Sequence, residues 1–307
     1  MNDVIFIVAI TLKSSPAVLL ASLGELISER GGILNLGVEG MMLVGALAGF
    51  VTARQSASLV LGLCNAMAAA GLLALLHAFL CVHLRADQVI SGLAVTILGT
   101  GLSSFLGRPF IGQTGLHFNS IGGTWIDGLP LIGPLLAQQN LFGLLSLVAV
   151  PALIYLLGRT WLGLYIRAAG QDPVAADAAG VPVAAIRYGC TLCGGCMAGL
   201  AGAYLSLAYT PGWKEGMTGG QGWIAIAMVI FATWHPLRAL LGALLFGLLN
   251  ALQFYFQATG IELIPAYILH MLPYLLTVGV LVLVTVLEKP VLGSVPAALG
   301  KPFSREE

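Results

Sequence analysis

The sequence predicts an all-α protein, a polytopic transmembrane bundle of about 8–10 helices with a broken helix near its N-terminus. Three observations predict it. Of 307 residues, 58% are hydrophobic and only 8% charged, whereas an ordinary soluble domain carries roughly 25% charged residues. Several apolar runs reach the roughly 20 residues that take a helix across the hydrocarbon. The strict alternation of apolar and polar residues that marks a membrane β-barrel is absent. No stretch is polar enough for a soluble domain, so residues 1–307 read as a single transmembrane domain.

In chain order, the N-terminal MNDVIFIVAITLK lacks a basic n-region and a small-residue cleavage site, so it is expected to be retained. The first 30 residues are ambiguous. Residues 14–52 carry Glu25, Glu29, Arg30, Asn35 and Glu39 within apolar sequence. Either a tight cytoplasmic loop holds these groups, which adds a crossing and puts the N-terminus outside, or one span breaks near Gly31-Gly32 and lines a cavity. The break is the favoured reading, because charged groups at bilayer depth must be paired or wet and glycines suit unwound backbone. Apolar runs place spans at 33–52, 60–84, 88–107, 141–159, 188–209, 222–234, 239–257 and 266–287.

Between the third and fourth of these, residues 108–140 form a Gly-rich external connection with Phe118 and Trp125 as interfacial anchors. It reads as an outer gate, a docking surface or a plain surface linker. Residues 160–187 are a polar, small-residue island. There Asp172 can N-cap a short helix, Pro173 suits its first turn, and Gly180 before Val181-Pro182 ends it. Its Ala-rich surface offers a close-fitting knob; the alternative is an ordinary capped turn. Arg159, Arg167 and Arg187 flank the island, and alternating the spans puts Arg85 and Arg238 on its side, with Arg54, Arg108 and Lys214 opposite. By the positive-inside rule, the island is cytoplasmic.

The chemistry of the chain is defined partly by what it lacks. Zero net charge and the absence of a basic tail argue against a nucleic-acid partner. No phosphate-binding G-x-x-x-x-G-K-[ST] loop, H-E-x-x-H pair or G-x-S-x-G elbow occurs. Cys190, Cys193 and Cys196 form a C-x2-C-x2-C run without a fourth thiolate, so they read as small packing residues beside glycines and not as a metal centre. Thr218-Gly219-Gly220-Gln221 is taken as a chance likeness to an ATPase signature on the external side. Polar residues within the spans are better candidates for a solute path: Asn35, Glu39, Gln88 and Asn250, with Asn65, His77, Thr96 and Gln253 behind them. Asn35 and Glu39 lead because they lie four apart within the break, where they could face one cavity.

Four stretches, ISERGGILNLGVEGMMLVGA (27–46), ADQVISGLAVTILG (86–99), RAAGQDPVAADAAGVPV (167–183) and GWIAIAMVIFATWHPLRALLGALLFG (222–247), agree with one family. The chain resembles the permease subunit of bacterial ABC importers of the ribose, branched-chain amino acid and nucleoside group. The Asn35–Gly40 run looks most like the nucleoside or simple-sugar branch. The third stretch resembles a cytoplasmic coupling segment, although Ala176-Asp177-Ala178-Ala179-Gly180 replaces the better-known Glu-Ala-Ala pattern. The resemblance implies one half of a solute pathway in the inner membrane, with a second permease chain, cytoplasmic ATPase subunits and an extracytoplasmic solute-binding protein as partners. ATP and Mg would be used by the ATPase; this chain would bind no cofactor. Arg167, Gly170, Asp172, Pro173, Asp177 and Gly180 would carry the coupling. A secondary transporter or channel, or an intramembrane enzyme, are the competing readings.

Overall fold

A computed structural model describes residues 3–121, 138–259 and 295–304, with positions 135, 271, 275, 278, 279 and 282. Among these residues the chain forms ten α-helices, and its only β-pairing is two isolated bridges.

The first helix, α1, runs over Asp3–Arg30 and at 1.5 Å per residue is about 42 Å long. The ambiguous first 30 residues are therefore one complete crossing. The break at Gly31-Gly32 lies after it, between α1 and α2 (Val38–Ser56), and does not split one span. Glu25 and Glu29 obscured this crossing in the sequence, yet both are buried against protein and neither meets lipid.

The end of α1 is built by backbone geometry. Gly32 takes φ +91°, its N–H reaches the Glu29 carbonyl at 2.9 Å, and Ile33 N–H reaches the Ser28 carbonyl at 3.1 Å. That pair of bonds closes a helix with a left-handed residue, which glycine supplies without strain.

Helix α2 is the centre of the bundle, packed by α3 (Leu59–Ala78), α4 (Gln88–Gly107) and α8 (Val183–Tyr204). Close approach to α8 requires glycine on both sides: a Cβ at Gly45 would stand 2.5 Å from the Gly199 Cα, and one at Gly202 would stand 1.9 Å from the Met42 carbonyl oxygen. Ser58 and Asp87 cap α3 and α4, and Asn140 caps α5 (Leu141–Arg159). Two short helices, α6 (Trp161–Gln171) and α7 (Pro173–Ala178), follow before α8.

After α8 the chain re-enters. Helix α9 (Gln221–Phe231) has 11 residues, about 16 Å, or half of the roughly 30 Å hydrocarbon layer. The span expected at 222–234 is thus a half-helix, reached through the non-helical segment 210–220. A turn at Thr233 and Trp234, both at positive φ, leads to α10 (Pro236–Thr259). Most of the span expected at 266–287 lies outside the described residues, as does Trp125; the span's described positions 271, 275, 278, 279 and 282 are helical. Phe118 packs on Phe142, ring centroids 5.4 Å apart, and its N–H bonds the Leu207 carbonyl.

The two ends of the bundle are distinct. At one, Tyr255 bonds Asp3, Arg54 bonds the Thr114 carbonyl, and Ile111 pairs with Trp213. At the other, Arg30 meets Trp234 and the segment 295–304 meets Gln171 and Arg187. The second end collects Arg30, Arg187 and Lys301, the residue type that the positive-inside rule counts. Among the described residues, six helices are long and apolar enough to cross a membrane.

Candidate functional site

The stretch 33–37 between α1 and α2 is unwound yet buried, so its backbone groups need partners inside the protein. Side chains supply them. Leu34 N–H bonds Gln88 Oε1 at 2.7 Å, and the Leu34 carbonyl faces His77 Nε2 at 3.1 Å. Asn35 N–H bonds Glu25 Oε1 at 2.8 Å, and Thr96 Oγ1 donates to the Leu36 carbonyl at 2.7 Å. Asn35 turns its own Oδ1 to Gly37 N–H at 2.9 Å. Residues from α1, α3 and α4 thereby hold one short non-helical stretch deep in the bundle.

One turn further on, Glu39 begins α2 and caps another helix. Its Oε1 accepts from Thr218 Oγ1 at 2.5 Å and from Gly220 N–H at 3.0 Å, and its Oε2 accepts from Gly222 N–H at 2.7 Å. The α9 N-terminus has no side-chain cap of its own within its segment, so the carboxylate satisfies otherwise orphaned donors and faces the positive end of the helix dipole. Gly222 allows the contact, since a Cβ there would lie 2.6 Å from the Glu39 Cα. Glu39 is 8% exposed.

The structure therefore brings Asn35, Glu39 and Gln88 into one region, together with His77 and Thr96. Asn35 and Glu39 do not share a partner: the first ties the unwound stretch to α1, the second ties α2 to α9. Asn250 is half-buried on α10, whose packing partners are α1, α5 and α9, and it does not join this cluster. Asn65 bonds Thr52 and lines a separate cavity of about 370 Å³ between α2, α3 and α4.

Sequence reasoning missed Thr218-Gly219-Gly220. Read as a chance motif on the external side, it is the loop that meets Glu39, through the buried Thr218 hydroxyl and the Gly220 N–H. A signal was available: the apolar run that follows is too short to cross, and a glycine pair before it suits backbone entering the membrane without a helix.

At the end of the bundle that carries Arg30 and Arg187, α7 matches its expected start and end. Asp172 Oδ1 accepts from Ala175 N–H at 3.0 Å and Pro173 opens the first turn. Gly180 takes φ +84°, its N–H reaching Asp177 and Val181 N–H reaching Ala176. Val174, Ala175, Ala178 and Ala179 are exposed, whereas Ala176 is buried. Ala176 joins Ile166, Val181 and Val183 in one apolar cluster with Leu23, Leu26 and Ile27 of α1 and Val229 of α9.

Gly170 presses α6 on the end of α1, because a Cβ there would stand 2.1 Å from the Arg30 carbonyl oxygen. Arg167 is exposed and donates to the Gly163 carbonyl. Arg30 in turn gives both Nε and Nη2 to the Trp234 carbonyl, and Trp234 Nε1 donates to Glu29 at 2.6 Å. The knob, the end of α1 and the α9–α10 turn are one packed unit. Cys190 contributes packing at the same place, its Sγ 2.9 Å from where a Gly31 Cβ would be.

Residues 6–285 match the family described as branched-chain amino acid transport system / permease component. The chain belongs to that permease family. The permease is 44% identical to the putative glucose ABC transporter permease protein TsgC13 of Haloferax volcanii, over 96% of both chains. It is 35% identical to the nucleoside ABC transporter permease protein NupC of Lactococcus lactis, over 92% of this chain and 93% of that one. Against the guanosine ABC transporter permease protein NupQ of Bacillus subtilis the identity is 33%, over 89% of each. No solved structure matches it. These relatives are named for sugars and nucleosides, the branch that the Asn35–Gly40 run resembles, and the chain is a multi-pass permease subunit of an ABC importer.

Proposed function

We propose that this permease forms half of an inner-membrane path for a small uncharged polar solute, a sugar or a nucleoside, and that α7 couples it to a cytoplasmic ATPase. The solute class rests on relatives named for glucose, nucleosides and guanosine. A second permease chain completes the path, an extracytoplasmic binding protein delivers solute, and ATP with Mg is consumed in the ATPase subunits.

The observation that carries the coupling is the capped, Ala-surfaced α7 seated on the cluster that contains α1 and α9. A helix of this length is marginal alone, but its buried side is continuous with the bundle, so a push on α7 moves the unit as a body. Force applied at Asp172–Gly180 passes through Gly170 to the end of α1, then to the unwound stretch and to the Glu39 joint with α9. In this reading Arg167 and Asp177 flank the ATPase contact, and Pro173 and Gly180 fix the shape of the knob. Glu39 stands at the gate with Asn35 and Gln88 as its supports, and Asn250 is a second, separate candidate along the path.

The test is ATP-driven uptake in vesicles reconstituted with the ATPase and binding protein. Val174→Arg, at an exposed position of the knob, is expected to leave folding intact, abolish stimulation of the ATPase and stop uptake. Normal uptake by that variant would remove α7 from the coupling path.

A further inference from the structure

The cavity of about 370 Å³ between α2, α3 and α4 stands apart from the Glu39 joint, toward the end of the bundle where Arg54 bonds the Thr114 carbonyl. Three features mark it as a site. The first is its lining: the walls are apolar except for Thr52, Asn65 and Ser103, and among the described residues no charged side chain lines it. A volume of this order, mostly apolar with a few placed polar groups, is that of a small-molecule site. Small residues make the room, Ala48 from α2 and Ala69 from α3.

The second feature is the pair Thr52 and Asn65. Asn65 Nδ2 donates to Thr52 Oγ1 at 2.5 Å, and among the described residues the Thr52 hydroxyl proton and the Asn65 carbonyl oxygen take no further partner. Turning the amide over exchanges the roles and still leaves one donor and one acceptor side by side. Asn65 is exposed on a helix long and apolar enough to cross a membrane, where a polar side chain is costly against hydrocarbon. An acyl chain in the cavity would leave both groups unpaired; a sugar hydroxyl, which donates and accepts, answers both. The third feature is Phe110, which lines the same cavity from the 3₁₀ turn after α4. Its ring offers an apolar face to the C–H face of a sugar or to a nucleobase.

We infer that this cavity binds an uncharged hydroxylated solute, a sugar or a nucleoside, with Thr52 and Asn65 as its hydrogen-bonding pair and Phe110 as its stacking wall. The inference rests on the path proposed above and adds a second station to it. Val44, the lining residue of α2 nearest to Glu39, is five residues from it on the same helix, or roughly 8 Å. A solute held here stands one step before the joint that α7 moves. A zwitterionic amino acid would bring an ammonium and a carboxylate into a cavity that offers no counter-charge.

The test follows the thermal unfolding midpoint of the full-length chain in nanodiscs, titrated with glucose, ribose, guanosine and uridine, and with leucine as the zwitterion. At least one of the four neutral solutes should raise the midpoint saturably, and leucine should leave it unchanged. Asn65→Leu, at an exposed position, should fold and need about tenfold more of that solute for the same shift. Ala48→Leu keeps the pair and fills the cavity, so it should abolish the shift.

No shift with any of the four solutes would overturn the site, as would a shift with leucine. The same solute dependence in wild type and Asn65→Leu would also overturn it, since a pair that merely ties α2 to α3 alters the midpoint without altering that dependence. An acyl chain as the occupant gives a higher midpoint in Asn65→Leu and no response to solute. Uptake in vesicles with the ATPase and binding protein separates this site from the path. Uptake of a neutral solute at the wild-type rate in Ala48→Leu removes the site and leaves the path; binding in nanodiscs without uptake of any of the four leaves the site and removes the path.

Discussion

Two helix ends in this permease are built by the same device and placed in opposite surroundings. At the end of α1, Gly32 at φ +91° closes the helix through bonds from Gly32 to Glu29 and from Ile33 to Ser28; at the end of α7, Gly180 at φ +84° does so through bonds to Asp177 and Ala176. Around Gly180 there is open space, whereas a Cβ at Gly32 would meet Arg187 and Gly170. The first end leads into a non-helical stretch inside the bundle whose polar groups are claimed by Glu25, His77, Gln88 and Thr96. The second leads straight back into α8 at the surface. Local sequence thus specifies the turn, and the environment decides whether the turn is a joint within the bundle or lies open at the surface.

The largest effect should come from the joint. Glu39→Ala removes an acceptor shared by Thr218, Gly220 and Gly222 and leaves buried donors unpaired, each costing about 1–3 kcal/mol. The yield of monodisperse protein in detergent should collapse. Glu39→Gln is milder, since one amide oxygen can still accept while the amide nitrogen faces a donor; it should fold with a lowered unfolding midpoint and reduced uptake. Wild-type stability in Glu39→Ala would show that α9 does not depend on this cap.

Next come the paired glycines. Alanine at a left-handed position costs about 1–2 kcal/mol wherever it sits. At Gly180 that strain is the whole cost; at Gly32 the crowding against Arg187 at 3.1 Å adds to it. Gly32→Ala should therefore lower the unfolding midpoint more than Gly180→Ala in the same detergent. Equal shifts would mean that the buried end relaxes as freely as the exposed one. Gly180→Val should instead separate stability from function, with insertion and assembly retained and ATP-driven uptake lost.

How legible each region was follows from the same contrast. The caps of α7, Asp172, Pro173 and Gly180, could be read from adjacent residues because every interaction spans only a few positions. Composition and apolar runs gave the helical bundle, since lipid imposes length and polarity on each span directly. The joint was only half legible. Glycines and charged residues marked 31–39 as unusual, but the partner of Glu39 is nearly 180 positions away, at Thr218. Nothing local pairs a carboxylate with a loop so distant. For the same reason Glu25 and Glu29 made α1 look too polar to cross: their burial depends on Asn35 and Trp234, which sequence spacing does not reveal.

The smallest expected effect lies where the C-terminal segment touches the surface lever. Gln171, just before α7, bonds the backbone of 295–304 twice: Nε2 donates to the Val295 carbonyl at 3.4 Å and Oε1 accepts from Ala297 N–H at 3.3 Å. Both bonds are long and exposed, so water replaces them at little cost when the side chain is removed. The neighbouring bond from Ala298 N–H to the Gly170 carbonyl, at 3.0 Å, involves backbone only and survives the substitution, as does the packing of Val295, Leu299 and Phe303 on the bundle. Gln171→Ala should consequently change the unfolding midpoint by less than either glycine variant. Hydrogen exchange is the sensitive readout: the amide of Ala297 should exchange faster in Gln171→Ala while that of Ala298 keeps its protection. Faster exchange at both would show that the side chain of Gln171, and not the apolar packing, holds the segment against α7.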